Sequence, residues 1–280
     1  MDARELWVRI ETVHAVTYFA AESRAAAKDA GLQGFWMGYF GFRAAPMGPV
    51  GAGVVEAAFA NFAPGMIRRA IPDAWSHASP DDLVLVRATA AATALRGAAA
   101  DEVDAAVSIA PLLRRVVDAG VPLGRPLFAA NAAIPHFDDP VEQLWQLCTT
   151  LREHRGDGHV AALAAAGIDG CQAHQLLIAE QGLPPDLFFD NRGWDDDQQR
   201  RSLEVLVSRG LIEGTTLTEL GADLRDQIEA ITDERAAEPF NEALDEDDLA
   251  RLDAVLTPLA EAVQASGVIP FPNPMGLPQL

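Results

Sequence analysis

Apolar residues in this chain recur mostly three and four positions apart, the spacing that gathers one face of a helix. Between positions 138 and 156 they fall at Val141, Leu144, Trp145, Leu147, Cys148 and Leu151. Asp139 ahead of Pro140 supplies a start, and Gly156 after a basic run predicts the stop. The same pattern predicts helices over 21–31, closed by Gly31, and over 79–97, with Ser79 as N-cap and Pro80 in the first turn. A helix over 101–120 should bend near Pro111. Residues 120–140, "GVPLGRPLFAANAAIPHFDDP", are punctuated by proline and glycine and read as the boundary between two halves.

The second half has its own order. A helix near 170–181 ends at Gly182, "LPPDLFF" gives a short element, and a helix over 195–210 begins with three aspartates. Residues 211–213 and 215–217 can pair as two short strands around Gly214, and long helices follow over 218–236 and 245–264. Helix, short helix, helix, hairpin, long helix is the order of a winged helix. The expected fold class is therefore mainly α: an N-terminal helical domain over 1–135 and a winged-helix-like domain with a small hairpin over 136–280. Segments 54–75 and 173–194 share a layout of helix, small-residue break, Pro-containing element and closing tryptophan, Trp75 or Trp194. That likeness suggests an internal duplication, with the tryptophans anchoring equivalent corners. The apolar, proline-rich end, "VIPFPNPMGLPQL", is predicted to lie across the body and over a pocket.

Charge changes the picture more than composition does. The net charge is −20, with −4 in residues 1–150 and −16 in residues 151–280. Nonspecific DNA affinity comes from lysine and arginine displacing counterions, so this balance argues against DNA as a partner. Around the recognition position, 191–221, four arginines (Arg192, Arg200, Arg201, Arg209) meet six acids, and the tip "EGTT" has no basic residue. Cys148 and Cys171 are far apart and form no metal or redox motif, which predicts free thiols in a reducing compartment. No signal-like or membrane-spanning stretch is visible, so a cytoplasmic protein is expected.

"LVSRGLIEGTTLTELGADLRDQIEAITDE" resembles the recognition helix, wing and following helix of MarR-type winged-helix proteins, in which the "LT-x-x-G-x-x-L" step is common. The chain also resembles, over nearly its full length, an actinobacterial family of helix-turn-helix proteins. "HAVTYF", "GFWMGYFGFRAAPMG", "GRPLFAANAA", "LREHRGDGHVAAL" and "NPMGL" carry that likeness. The MarR likeness implies a DNA-binding regulator, a homodimer through its long C-terminal helices, with Arg200 and Arg201 as the groove contacts.

The densest chemistry is "REHRGDGH", 152–159. Arg152 and Arg155 can hold a carboxylate or another polar acceptor. Beyond a break at Gly156, Asp157 and His159 could turn back toward the same volume, so that His154, Asp157 or His159 handles a proton. The plainer alternative is a capped junction, with Asp157 as N-cap of a following helix. A metal site at His154, Asp157 and His159 is not expected, because the spacing matches no signature and the arginines oppose a cation. "GFWMGYFGFR" offers either core packing or the wall of an apolar pocket, in which Trp36 packs while Tyr39 and Arg43 supply polar contacts. His14 and Tyr18, four apart, share a helical face and extend that lining. No phosphate loop, nucleophile elbow or zinc pattern is present, and no cofactor is expected. The reading is thus a small-molecule-binding protein with its pocket between the halves: a sensor, a sequestering or resistance protein, or an acid–base enzyme of specialised metabolism.

Overall fold

The structure, a computed structural model, describes residues 3–280. It is mainly α-helical, with one two-stranded antiparallel hairpin. The first half comprises α1 (Ala3–Phe19), α2 (Ala21–Asp29), α3 (Gly34–Ala44), α4 (Ala52–Ala58), α5 (Pro64–Arg68), α6 (Ala74–His77), α7 (Pro80–Ala98), α8 (Ala100–Ala106), α9 (Ala110–Ala119) and α10 (Pro126–Ala132). Ser79 caps α7 as its sequence predicts, its side chain accepting from the Asp82 amide. Pro111 starts α9 instead of bending one long helix: the chain tightens into a 3-10 turn at Val107–Ile109, and proline fits the first turn, where no amide is needed. The glycine- and proline-rich stretch after α9 is not all linker, since α10 lies inside it.

Next comes α11 (Pro140–Ala165), the axis of the molecule, packed against α1, α7, α9, α10 and α15 (Glu219–Ala243). It does not stop at Gly156. Each glycine weakens a helix by about 1 kcal/mol relative to alanine, a modest penalty beside the burial of Leu144, Trp145, Leu147, Cys148, Leu151 and Leu163 along this one rod. Tertiary packing overrides the local stop signal.

The winged-helix-like unit follows, with α12 (Gly170–Gln181), α13 (Pro185–Arg192), α14 (Asp196–Ser208), strands β1 (Ile212–Glu213) and β2 (Thr216–Leu217), then α15. Helix α12 ends at Gly182, the expected stop, in the left-handed region, and Asp169 and Asp195 close capping boxes with Gln172 and Gln198. Helix α15 runs past the expected 236 to Ala243, and α16 (Glu246–Ala265) returns across α1 and α8.

Three apolar clusters hold these pieces. The largest draws on α1, α7, α9, α11, α16 and the terminal segment, from Leu6 to Leu277, and so spans both sides of residue 135. A second lies between α3, the α4–α6 region and the start of α7, and a third is the private core of the winged unit, around Leu163, Leu176, Leu206 and Ile212. The two segments compared above meet face to face. The Ala63 amide donates to the Arg192 carbonyl (2.8 Å), and Trp194 Nε1 donates to the Asn61 carbonyl (3.0 Å). Gly170 packs so closely on Ala60 that a Cβ there would overlap its carbonyl. Trp75 serves its own half, donating to Val50 O (2.9 Å).

The terminal segment lies across the body. Asn273 Oδ1 accepts the amides of Met275 and Leu277 (3.1 Å each), its Nδ2 donates to Leu277 O (3.0 Å), and Ile269 and Leu277 are buried. No described helix is long and apolar enough to cross a membrane.

Candidate functional site

Because α11 is unbroken, the run 152–159 is sorted by helical geometry onto different faces. Arg152, Arg155 and His159, spaced three and four apart, point to one side. Glu153 turns toward α3, while His154 and Asp157 turn toward α10. The convergence of Asp157 and His159 expected from a break at Gly156 does not occur. Asp157 does cap a helix, but the neighbouring α10: its Oδ2 accepts from the Phe128 amide (2.9 Å). His154 stacks edge-on against Phe128, with ring centroids 4.8 Å apart. Burial pushes the Asp157 carboxyl up to about 7 and the His154 imidazole down to about 4.

A buried polar seam runs from α3 through α11 to α1. Arg43 grips Glu153 with two parallel bonds, Nε to Oε1 (2.8 Å) and Nη2 to Oε2 (3.0 Å). Arg152 donates Nη1 to the same Oε2 (2.9 Å) and Nε to both oxygens of Glu11 (3.0 and 3.2 Å). Burial alone would raise the Glu153 carboxyl, yet Arg43 and Arg152 outweigh it and hold the group well below the usual carboxylate range. Beside the seam, His14 bonds Thr149 Oγ1 and the Tyr18 hydroxyl (2.9 Å each) and stacks on Trp145. Burial, with Arg152 adding to it, keeps this imidazole neutral. Both ring nitrogens of His14 thus have partners at the edge of the cavity.

Two cavities flank the seam, and Tyr18, Tyr39 and Arg43 border both. The smaller, about 240 Å³, lies among α1, α2 and α3, with Lys28 and Phe35 on its wall. Arg87 reaches it from α7, its guanidinium held only by neutral acceptors: Phe42 O, Asn131 Oδ1 and Gln146 Oε1. Burial lowers its pKa to about 10, although Glu153 pulls the other way.

The larger cavity, about 660 Å³, is walled by α1, the α4–α5 turn, α11, the winged unit and the terminal segment 272–278. Arg152, Arg155 and His159 line it, as do Arg43 and Tyr39. Arg155 is tied to Asp233 (2.8 Å) and Glu229 (3.3 Å) and lies over the Trp7 ring. His159 Nδ1 sits 3.1 Å from Thr232 Oγ1, whose own proton goes to Ile228 O (2.7 Å). The imidazole must then donate through Nδ1, which leaves Nε2 as an acceptor without a partner among the described residues. Burial lowers this histidine to about 4. Two wall residues have orphaned polar atoms: Arg192 Nε and His174 Nδ1. Burial, with the Arg192 charge second, holds His174 near 3.

Of the residues singled out from sequence, His14, Tyr18, Tyr39, Arg43, Arg152, Arg155 and His159 border a cavity. Trp36 lines neither of the two: it packs among Phe35, Tyr39, Phe40 and Phe62. Glu11, Arg87, His174 and Arg192 were missed. Nothing local distinguishes Glu11, Arg87 and Arg192, because each gains its role from a partner more than forty positions away, while His174 owes its place to the packing of α12 on α13. Among the described residues, no group of three His, Cys, Asp or Glu side chains is arranged to hold a metal ion. Cys148 and Cys171 are buried free thiols, pushed up by burial to about 12 and 11.

The outer face of α14 is a different surface. Arg200 bonds Asp197 (2.6 Å) and Glu204 (3.4 Å), and Arg209 donates to the carbonyls of Gly167 (2.7 Å) and Ala166 (3.0 Å) at the end of α11. Arg192 is turned inward. Of the four arginines between 191 and 221, only Arg201 lies on this face without such an engagement among the described residues. Asp195, Asp196 and Asp197 occupy the helix N-terminus, where a phosphate would otherwise dock.

A family model described as a helix-turn-helix family matches residues 3–270. No curated protein and no solved structure matches the chain.

Proposed function

The chain belongs to a helix-turn-helix family, and from that premise we propose that it binds a small molecule in the cavity between its N-terminal helices and its winged-helix unit. One observation carries this reading: a cleft of about 660 Å³ bordered by both halves and by the terminal segment. That volume lies within the range of small-molecule sites. Polar groups converge on it from several elements, as ligand orientation requires: Arg43 and Tyr39 from α3, Arg152 and His159 from α11. His159 Nε2 is an unprotonated acceptor at neutral pH and suits either recognition or proton transfer. Sensor, sequestering protein and acid–base enzyme of specialised metabolism share this step and part only afterwards.

The test is a thermal-shift screen of the native protein against small metabolites, repeated on Val160→Trp, which places an indole in the cavity wall. Stabilisation by a metabolite in the native protein, lost in the folded variant, is the expected result. Equal responses of the two proteins would remove the cavity from the account.

The rival reading is a MarR-like DNA-binding regulator, and the helix–helix–hairpin order together with the family membership favours it. The three aspartates opening α14 and the internal engagement of Arg192, Arg200 and Arg209 speak against it, since phosphate contacts must position such a protein before bases can be read. A gel shift of its own upstream DNA at physiological salt, abolished by the pair Arg200→Ala and Arg201→Ala, would establish the regulator instead.

A further inference from the structure

Six arginines line the larger cavity, and five of them touch a carboxylate. Arg4 reaches Glu229, Arg43 reaches Glu153, Arg152 reaches Glu11, Arg155 reaches Asp233, and Arg225 reaches Glu180, at 2.8–3.0 Å. The sixth, Arg192, has no carboxylate partner among the described residues. It is only 8% exposed. Its guanidinium lies 4.5 Å over the Phe62 ring, its Nη2 donates to Pro274 O (2.6 Å), and its Nε has no partner.

The edge left without a carboxylate is the informative one. On Arg43 the Nε and Nη2 atoms take both oxygens of Glu153, and on Arg68 the same two atoms take both oxygens of Glu56 (2.6 and 3.0 Å). This fork is the one that matches a carboxylate. On Arg192 the same edge holds one neutral carbonyl and a bare N–H. A buried cation without a counter-charge is strongly unfavourable. Fastening the terminal segment to α13 does not by itself call for a charge, because a neutral donor could reach Pro274 O equally well.

Taking the ligand-binding reading of this cavity as its basis, we infer that the ligand carries a carboxylate on an apolar body, and that Arg192 is the residue that receives it through its Nε/Nη2 edge. Among the six, this is the one fork that meets no carboxylate; it suits two coplanar oxygens, which reach it as the Pro274 carbonyl shifts aside. The wall is mixed, and its apolar members Phe62, Phe188, Leu187 and Met275 are available to the rest of the molecule. His174 Nδ1, also buried without a partner, offers a second polar contact.

Isothermal titration with 4-phenylbutyrate, 4-phenylbutyramide and inorganic phosphate at fixed ionic strength tests this on the native protein and on Arg192→Gln. The acid should bind roughly tenfold or more tightly than the amide, phosphate alone should not bind, and Arg192→Gln should erase the preference for the acid. Equal affinities, or a preference that survives in Arg192→Gln, would overturn the carboxylate while leaving the cavity as a binding site. Phosphate binding tighter than the acid would move the ligand to another anion class and overturn it too. Failure of acid and amide alike would take down both this inference and the reading beneath it. A ligand-free measurement stands beside these. Arg192→Met should leave the Tm unchanged or raised, whereas Arg43→Met should lower it by stripping Glu153 of its partner. A matching fall in both would make Arg192 a structural residue and end the proposal.

Discussion

Helices α11 and α14 both carry arginines among acids, and the two runs look alike on paper: "LREHRGDGH" and "WDDDQQRRS". In the folded chain they have opposite fates. The arginines of α11 are largely enclosed, each bonded to a carboxylate from a distant element, and they border an interior cavity. On α14, Arg200 and Arg201 stand in solvent, and Arg200 is paired only with acids of its own helix. Coulomb attraction at a few ångströms is several-fold stronger inside a protein than in water. Enclosure, more than residue type, therefore sets what these charges are worth and where a ligand would feel them.

The sharpest way to break that contrast is to remove the acid that anchors the enclosed side. Glu153→Ala strands Arg43 and Arg152 without their shared carboxylate and should destabilise by about 3–5 kcal/mol, read as a large loss in chemical-denaturation midpoint. A loss under about 1 kcal/mol would mean the seam is wet and behaves like a surface.

Acid should separate the two regions next. His154, His159 and His174 have folded pKa values of about 4, 4 and 3, below the ordinary 6.5. The unfolded chain therefore takes up protons first, and stability is lost as pH falls from about 6.5 toward 4. Asp157 works in the opposite sense. With its pKa raised to about 7, it makes the fold less stable as pH rises from about 4 to 7. The histidines outnumber it, so unfolding free energy should drop on acidification, on the order of 2 kcal/mol for each buried imidazole, read as a falling Tm. A double variant His154→Phe and His174→Phe should flatten the curve below pH 6, while Asp157→Asn should steepen the net fall. A native Tm that is flat from pH 7 to 4.5 would contradict the burial of these groups.

Gly156→Ala is a gentler probe of the same rod. A Cβ there would meet Glu153 and Arg152 only at ordinary contact distances of 3.5 and 3.6 Å, so the variant should gain about 1 kcal/mol from helix propensity. A helix that truly ended at Gly156 would be weakened instead. At the bottom of the scale, Arg200→Ala should leave the Tm unchanged within error, because its ion pairs are surface contacts screened by solvent. A larger change would place that exposed side chain in an interface the isolated chain does not reveal.

Much of the architecture was legible because its signals are local. The cap at Ser79, the aspartates opening α14, the stop at Gly182 and the hairpin around Gly214 depend on residues within a few positions of one another. Local signals misled where long-range burial competed with them: Gly156 does not stop α11, and Pro111 begins a helix instead of kinking one. The candidate site followed the same division. Arg43, Tyr39, Arg152 and His159 were conspicuous as polar groups within apolar or dense motifs. Arg192 looked like one more member of a DNA-facing basic set, and only the inward turn of α13 makes it a cavity residue.

What the sequence alone determined is the inventory: helices from the 3.6-residue period, a hairpin from two short apolar runs around glycine, and an acidic exterior from the excess of carboxylates. The tertiary structure decided the pairings. Whether an arginine is neutralised, orphaned or solvated depends on which distant acid the fold brings within about 3 Å, and no periodicity along the chain records that distance. Arg43 found Glu153 across 110 positions, and Arg192 found only Pro274 O and the face of Phe62.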